Sequence, residues 1–180
     1  MAQAIDWHLV AGSDRAAVIL HPHPDYGGDR HNHVVDALYR GLGISTARFD
    51  FSSSDPETAK KEAEVAIEEG AGRAPNETLY LIGYSFGADI AMTVDDPRIA
   101  GWCLVAPPLR MIPQEAMVIA TDERPKLLLV AEHDQFAPPE RAREMTDGWT
   151  ATTIEVVPGD HFQSGGAASV VDKAKAWVMR

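Results

Sequence analysis

Residues 79–88 read Leu-Tyr-Leu-Ile-Gly-Tyr-Ser-Phe-Gly-Ala. The apolar run behind the polar Asn76-Glu77-Thr78 has the composition of a buried parallel strand. Gly83-x-Ser85-x-Gly87 follows, and Ala88, Ile90, Ala91 and Met92 suit a short helix. Strand, G-x-S-x-G and helix together make a nucleophile elbow. Its spacing has a physical reason. The serine must sit on a strained turn with its hydroxyl above the sheet edge, and the flanking glycines let that turn pack against neighbouring backbone. Such a serine attacks acyl carbon.

A serine hydroxyl is a poor nucleophile without a base, and the base needs an orienting partner. After an elbow serine the expected chain order is acid, then histidine. Two loops fit. Glu132-His133-Asp134-Gln135-Phe136-Ala137-Pro138 follows the strand-like Lys126–Ala131, and Pro158-Gly159-Asp160-His161-Phe162 follows the strand-like Thr152–Val157. We assign Asp134 as the orienting acid and His161 as general base and acid. Glu132 and His133 share the acid loop, and Glu132 is a rival to Asp134. Asp160 adjoins His161, but sequence neighbours usually point apart. A lone loop histidine would be an ordinary solvated side chain; the agreement of elbow, acid loop and histidine loop in order and topology sets this one apart.

Acyl transfer also needs donors for the oxyanion. The backbone N–H of Phe86 is one. The other should come from His21-Pro22-His23-Pro24-Asp25-Tyr26-Gly27-Gly28. Prolines cannot donate, so His23 or Asp25 is the expected donor, with Tyr26 as a third choice. Tyr26, Phe136 and Phe162 are expected to line the substrate pocket, together with Phe86 and Met111.

These loops need a scaffold that brings strand ends to one edge. Asp6–Val10 suits an edge strand and Ala16–Leu20 a buried one. A helix from about Asp29 to Arg40 follows, with Val34, Leu38 and Leu42 repeating every four residues. Ser45–Phe51 reads as a strand. Asp55 as N-cap and Pro56 at the first helical position open a helix to about Glu69, which Gly70-Ala71-Gly72 should stop. Ile99–Ala106, Lys126–Ala131 and Thr152–Val157 are further strands. Pro138-Pro139-Glu140 opens a helix to about Asp147, and Gly165–Met179 closes the chain as another. Leu109–Pro125 has weak periodicity and suits a short helix or an irregular connection. Alternating strands and helices predict an α/β fold: a doubly wound, mostly parallel sheet with helices on both faces.

Composition sets limits on function. The 180 residues suit one domain, 1–180. Apolar content of 45% and charged content of 24% are ordinary for a globular chain. A net charge of −11, with no Lys/Arg cluster, argues against nucleic acid or an anionic membrane as partner. No stretch reads as a membrane span, and Met1–Trp7 lacks the basic and apolar regions of a signal peptide, so a cytoplasmic protein is expected. Asn76-Glu77-Thr78 matches a glycosylation sequon and reads, in that setting, as a strand-entry turn. Cys103, the single cysteine, lies in an apolar run and reads as a buried small hydrophobe.

Taken together, the motifs resemble those of the small, lidless α/β-hydrolases related to the dienelactone hydrolase group. That family carries HPHP-x-x-GG after the first core strand, an RFNFRG-like strand end, GFSFG, a D-x-x-x-P acid loop and G-x-DHF. The matching segments are His21–Gly28, Arg48–Phe51, Gly83–Gly87, Asp134–Pro138 and Gly159–Phe162. The resemblance covers nearly the whole chain and implies the same triad. Asp50 stands where the family has Asn, and Ser52-Ser53-Ser54 replaces its Arg-Gly turn. The nucleophile is Ser rather than the Cys of dienelactone hydrolases, so dienelactone chemistry does not carry over.

The expected function is therefore that of a serine hydrolase of small carboxylic esters, thioesters included, acting through an acyl-enzyme without a cofactor. Two other classes compete. One is a catalytically silent binding protein, since fold alone proves no activity. The other is a metal site on His21, His23, His31 and His33, since His-x-His in a loop can ligate Zn²⁺. The prolines of a shaped turn and the oxyanion role explain that loop better, and no metal is expected.

Overall fold

The computed structural model describes residues 3–180. Seven strands form one sheet: β1 (Ile5–His8), β2 (Arg15–Leu20), β3 (Ser45–Phe49), β4 (Thr78–Tyr84), β5 (Ile99–Val105), β6 (Lys126–His133) and β7 (Thr152–Asp160). Their spatial order is β1-β3-β2-β4-β5-β6-β7. Only the edge pair β1 and β3 is antiparallel; the other five pairings are parallel. Parallel strands need crossovers, and α1 (His33–Gly41), α2 (Pro56–Arg73), α3 (Phe86–Ala91) and α4 (Pro139–Met145) lie in them, while α5 (Ala167–Val178) follows the last strand and packs back on the sheet.

Both sheet faces are buried. Val18, Leu81, Leu104 and Leu128 belong to a core shared with α2, α3 and α4 through Ala63, Ile67, Ile90 and Ala142. Their neighbours Ile19, Ile82, Cys103, Leu127 and Leu129 face a second core with Val34 and Leu38 of α1 and Val170 and Trp177 of α5. Period-two alternation thus divides each strand between two apolar layers, and the strands read as continuous apolar runs for that reason.

Several element ends differ from the sequence expectation. α1 begins at His33, with Asn32 as N-cap accepting the Val34 N–H, not at Asp29. Asp29 Oδ1 instead accepts the His31 N–H, and Asp50 Oδ1 accepts the Arg30 N–H, which hold residues 29–31 in a turn. α2 does carry Asp55 as N-cap, but it runs through Gly70 to Arg73. Gly70 is buried, and a Cβ there would lie 3.3 Å from Trp7 Cη2, so this glycine serves close packing and does not stop the helix. β3 stops at Phe49 because the Phe51 N–H donates to His21 Nε2 (2.8 Å) instead of joining the ladder. β7 continues three residues beyond Val157, pairing Asp160 with His133 across a register shift in β6. Leu109–Pro125 is irregular apart from two short 3₁₀ turns.

Candidate active site

β4 ends at Tyr84, and Ser85 turns the chain directly into α3 with φ 53° and ψ −118°. That is a left-handed conformation for a non-glycine residue, a strain kept only where surroundings over-determine it. The surroundings do so here. The Ser85 N–H donates to the Val105 carbonyl at 2.9 Å. A Cβ on Gly83 would lie 2.3 Å from the Gly87 carbonyl oxygen, and one on Gly87 would lie 2.5 Å from the Leu20 carbonyl oxygen. Only hydrogen fits at either position. The elbow is therefore wedged between β2 and its own helix.

The extension of β6 and β7 sets the rest of the site. β6 carries Glu132 and His133 outward as exposed strand residues, 3.5 Å from each other. Asp134 is the first residue past the strand and turns inward, 4% exposed. Its Oδ1 accepts the N–H groups of Phe136 (2.8 Å) and Ala137 (3.0 Å), which fixes the carboxylate before it meets a histidine. His161 follows β7 in the same way. Its Nδ1 lies 3.0 and 3.1 Å from the two Asp134 oxygens, and its Nε2 lies 2.8 Å from Ser85 Oγ. Ser85, His161 and Asp134 thus form one buried relay, and Glu132 and Asp160 have no part in it. The geometry fits an Nδ1–H donated to Asp134 and an Nε2 free to accept the serine proton.

Two residues that sequence reasoning passed over complete the placement of His161. The Tyr84 hydroxyl donates to the His161 carbonyl at 3.0 Å, and the His161 N–H donates to Gln135 Oε1 at 3.2 Å. Burial pushes the Tyr84 phenol well above its ordinary range, so it stays a donor. Tyr84 follows the elbow glycine and Gln135 follows the acid, but only the fold shows that both reach His161.

Asp89 is a third. It is fully buried on α3, and its carboxylate accepts three consecutive N–H groups, from Leu109 (3.0 Å), Arg110 (3.1 Å) and Met111 (2.8 Å). Burial raises its carboxyl to about 6, against the opposing pull of those N–H groups. Leu109 takes φ 55°, a turn that the clamp holds in place.

His21 explains the shape of the other wall. Its Nδ1 lies 2.6 Å from the Pro22 carbonyl and its Nε2 accepts the Phe51 N–H. Both nitrogens are committed and burial lowers its pKa, so His21 is a neutral strut between two strand ends and not a metal ligand. Among the described residues no three His, Cys, Asp or Glu side chains are grouped as metal ligands would be. After His21 the loop turns so tightly that a Cβ on Gly28 would lie 2.2 Å from the Pro22 carbonyl oxygen.

Ser85 opens into a cleft of about 360 Å³ lined by His23, Tyr26, Asn32, Arg110, Phe136 and Phe162, among others. Met111 and Pro108 belong to its wall. Phe86 turns its side chain into the core, and only its backbone faces the elbow. Asp25, an expected oxyanion donor, is not among the lining residues; its carboxylate accepts the Ser54 hydroxyl at 2.5 Å. The Tyr26 N–H is spent on the His23 carbonyl. The divergent Asp50 and Ser52 line a separate crevice with Arg30 and Glu62, away from the cleft.

No protein-family model matches the chain. An uncharacterized protein of Rickettsia prowazekii is 27% identical over 146 residues, which is 73% of this chain and 61% of that protein. The chain therefore spans about three fifths of that relative's length. An alpha-beta serine hydrolase homologue from Coxiella burnetii superposes with a TM-score of 0.81 at 23% identity, over 98% of this chain and 89% of that one. A serine hydrolase without lid from Xanthomonas campestris gives 0.82 at 23%, over 98% and 88%. Est1E from Butyrivibrio proteoclasticus, in its ferulic acid complex, gives 0.81 at 14%, over 98% and 94%. The sheet order, the elbow and these superpositions establish that the chain has the α/β-hydrolase fold.

Proposed function

We propose that the protein is a serine hydrolase of small carboxylic esters, in which Ser85 is the nucleophile, His161 the general base and acid, and Asp134 the orienting acid. The observation that carries this reading is the continuous relay from Ser85 Oγ through the His161 ring to the Asp134 carboxylate. Ser85 Oγ attacks the acyl carbon while its proton passes to His161 Nε2. The proton then goes to the departing alcohol oxygen as the carbon–oxygen bond breaks, leaving an acyl-serine. Water repeats the sequence, giving up a proton to His161 as it attacks, and Ser85 recovers its proton as the acid leaves. Asp134 stays ionised and stabilises the imidazolium.

Two backbone groups suit the oxyanion. Phe86 is the first residue of α3, so its N–H has no intrahelical partner. His23 is the residue of the His21–Gly28 loop best placed for the second donation. It lines the cleft, its ring lies 4.9 Å from the Phe86 ring, and the neighbouring Tyr26, Gly27 and Gly28 amides are engaged within the loop. The cleft favours short acyl groups. Its walls are loop residues, and a long tail gains about 0.8 kcal/mol per CH₂ only where a wall covers it.

The test is kcat/KM for p-nitrophenyl esters from acetate to laurate, run beside Ser85→Ala. Efficiency should peak between acetyl and butyryl, and the variant should lose at least about three orders of magnitude while remaining folded. Undiminished turnover in folded Ser85→Ala would overturn the reading. A steady rise past octanoate would contradict the short-chain preference alone.

A further inference from the structure

The cleft has two chemically different sides. On one, His23 packs against Phe86 at 4.9 Å and Phe86 against Phe51 at 5.6 Å. These are the surroundings of the proposed oxyanion donors. On the other, Phe136 packs edge-on against the His161 ring at 4.4 Å, and the guanidinium of Arg110 lies over the Phe136 ring, 4.5 Å from its centre. Arg110 is the lining residue with a permanent positive charge, and no Asp or Glu is in the lining.

Arg110 also differs from most arginines of this chain. Arg15, Arg30, Arg40, Arg48, Arg98 and Arg124 each reach a carboxylate within 4.0 Å. Arg110 has no such partner among the described residues, in a chain with 27 acids against 16 bases. Its own backbone N–H is one of the three that Asp89 accepts, in a segment whose first residue, Leu109, is held at positive φ. A buried carboxylate thus fixes the backbone under an unpaired guanidinium, and an aromatic ring supports its face. Such a guanidinium keeps its planar fork available for a carboxylate.

We propose that Arg110 is an anion-binding residue for the alcohol part of the substrate, so that the favoured esters carry a carboxylate on their leaving group. The proposal rests on the hydrolase reading above. In that mechanism the alcohol oxygen must come to His161 Nε2 to be protonated, and Arg110 borders the cleft on the His161 side. The carboxylate keeps its charge throughout: the acyl carbon–oxygen bond breaks, the alcohol oxygen takes the His161 proton, and a hydroxy-carboxylate departs.

The test compares matched substrates in wild type, Arg110→Gln and Arg110→Lys. The first pair is 4-acetoxybenzoate and neutral 4-acetoxybenzamide, with charge on the alcohol side. The second is monophenyl succinate and phenyl butyrate, with charge on the acyl side. The kcat/KM ratio of the first pair should fall about tenfold in Arg110→Gln, chiefly through KM, and should fall less in Arg110→Lys. The ratio of the second pair should move less than about twofold. An unchanged first ratio, or an equal fall in both, would overturn the proposal. If neutral esters are hydrolysed only with Ser85 intact while the first ratio stays put, the hydrolase reading stands and the subsite falls. If no ester is hydrolysed, calorimetry with 4-hydroxybenzoate decides: binding lost in Arg110→Gln and absent for 4-hydroxybenzamide supports the subsite, and its failure ends it.

Discussion

Asp89 shows how a single buried charge shapes this site. Its oxygens receive three N–H groups from a segment about twenty residues further along the chain, and that segment forms one wall of the cleft. The carboxyl is raised from its ordinary 3.8 to about 6, so the folded protein binds this proton more tightly than the unfolded chain. The linked stabilisation is complete below about pH 3.8 and is lost as pH rises through about 6. At 1.36 kcal/mol per pH unit the rise corresponds to about 3 kcal/mol at most. Asp89→Asn cannot titrate. Urea denaturation of both proteins should therefore show wild type gaining on the variant by about 2–3 kcal/mol as pH falls from 7 to 4. A difference that stays constant, or that moves in the variant's favour, would contradict the buried-charge account. Other titrating groups are common to both proteins and cancel in the difference.

At the scale of elements, the loop after β2 depends on one glycine and one histidine. Gly28 → Ala would drive a methyl against the Pro22 carbonyl at 2.2 Å, so the loop must open. Opening it displaces His23, the proposed oxyanion donor. The expected outcome is a loss of kcat of about a hundredfold, as for removal of one oxyanion donor, with far-ultraviolet circular dichroism unchanged. Full activity would show that the loop does not position that donor. How legible such elements were depended on the range of their interactions. The elbow was readable because Gly83, Ser85 and Gly87 are constrained by contacts of the turn itself and of the neighbouring β2. Chain order points to the acid loop and the histidine loop, but it does not separate Glu132 from Asp134; only the fold does, by turning Asp134 inward to His161 and leaving Glu132 exposed. The start of α1 falls later than the 3.6-residue pattern predicts because that pattern says nothing of Asp29 and Asp50, whose carboxylates hold residues 29–31 in a turn. The extension of β7 to Asp160 depends on pairing with His133, a partner in another strand. Gly70 reads as a helix stop because its contact with Trp7 is not visible in sequence. Tyr84, Asp89 and Arg110 carry no signal in the sequence for the same reason: each acts through a residue that the fold, not the local pattern, brings near.

Across the whole molecule, the two apolar layers hold six parallel-paired strands so that the ends of β2, β4, β5, β6 and β7 meet at one edge. Every member of the candidate site leaves one of those ends. Among the described residues no helix is long and apolar enough to cross a membrane. The cleft opens between exposed Tyr26 and Phe162, 84% and 55% accessible, and Leu109–Pro125 adds a wall, not a cap. A site so open should accept a small electrophile without any conformational step. A Ser85 activated by His161 should react with a fluorophosphonate probe. Intact-mass measurement should show one stoichiometric adduct on wild type, mapped to Ser85 by peptide sequencing, abolished in Ser85→Ala and slowed at least about a hundredfold in His161→Gln. An unlabelled wild type, or labelling that survives Ser85→Ala, would show that Ser85 is not the nucleophile.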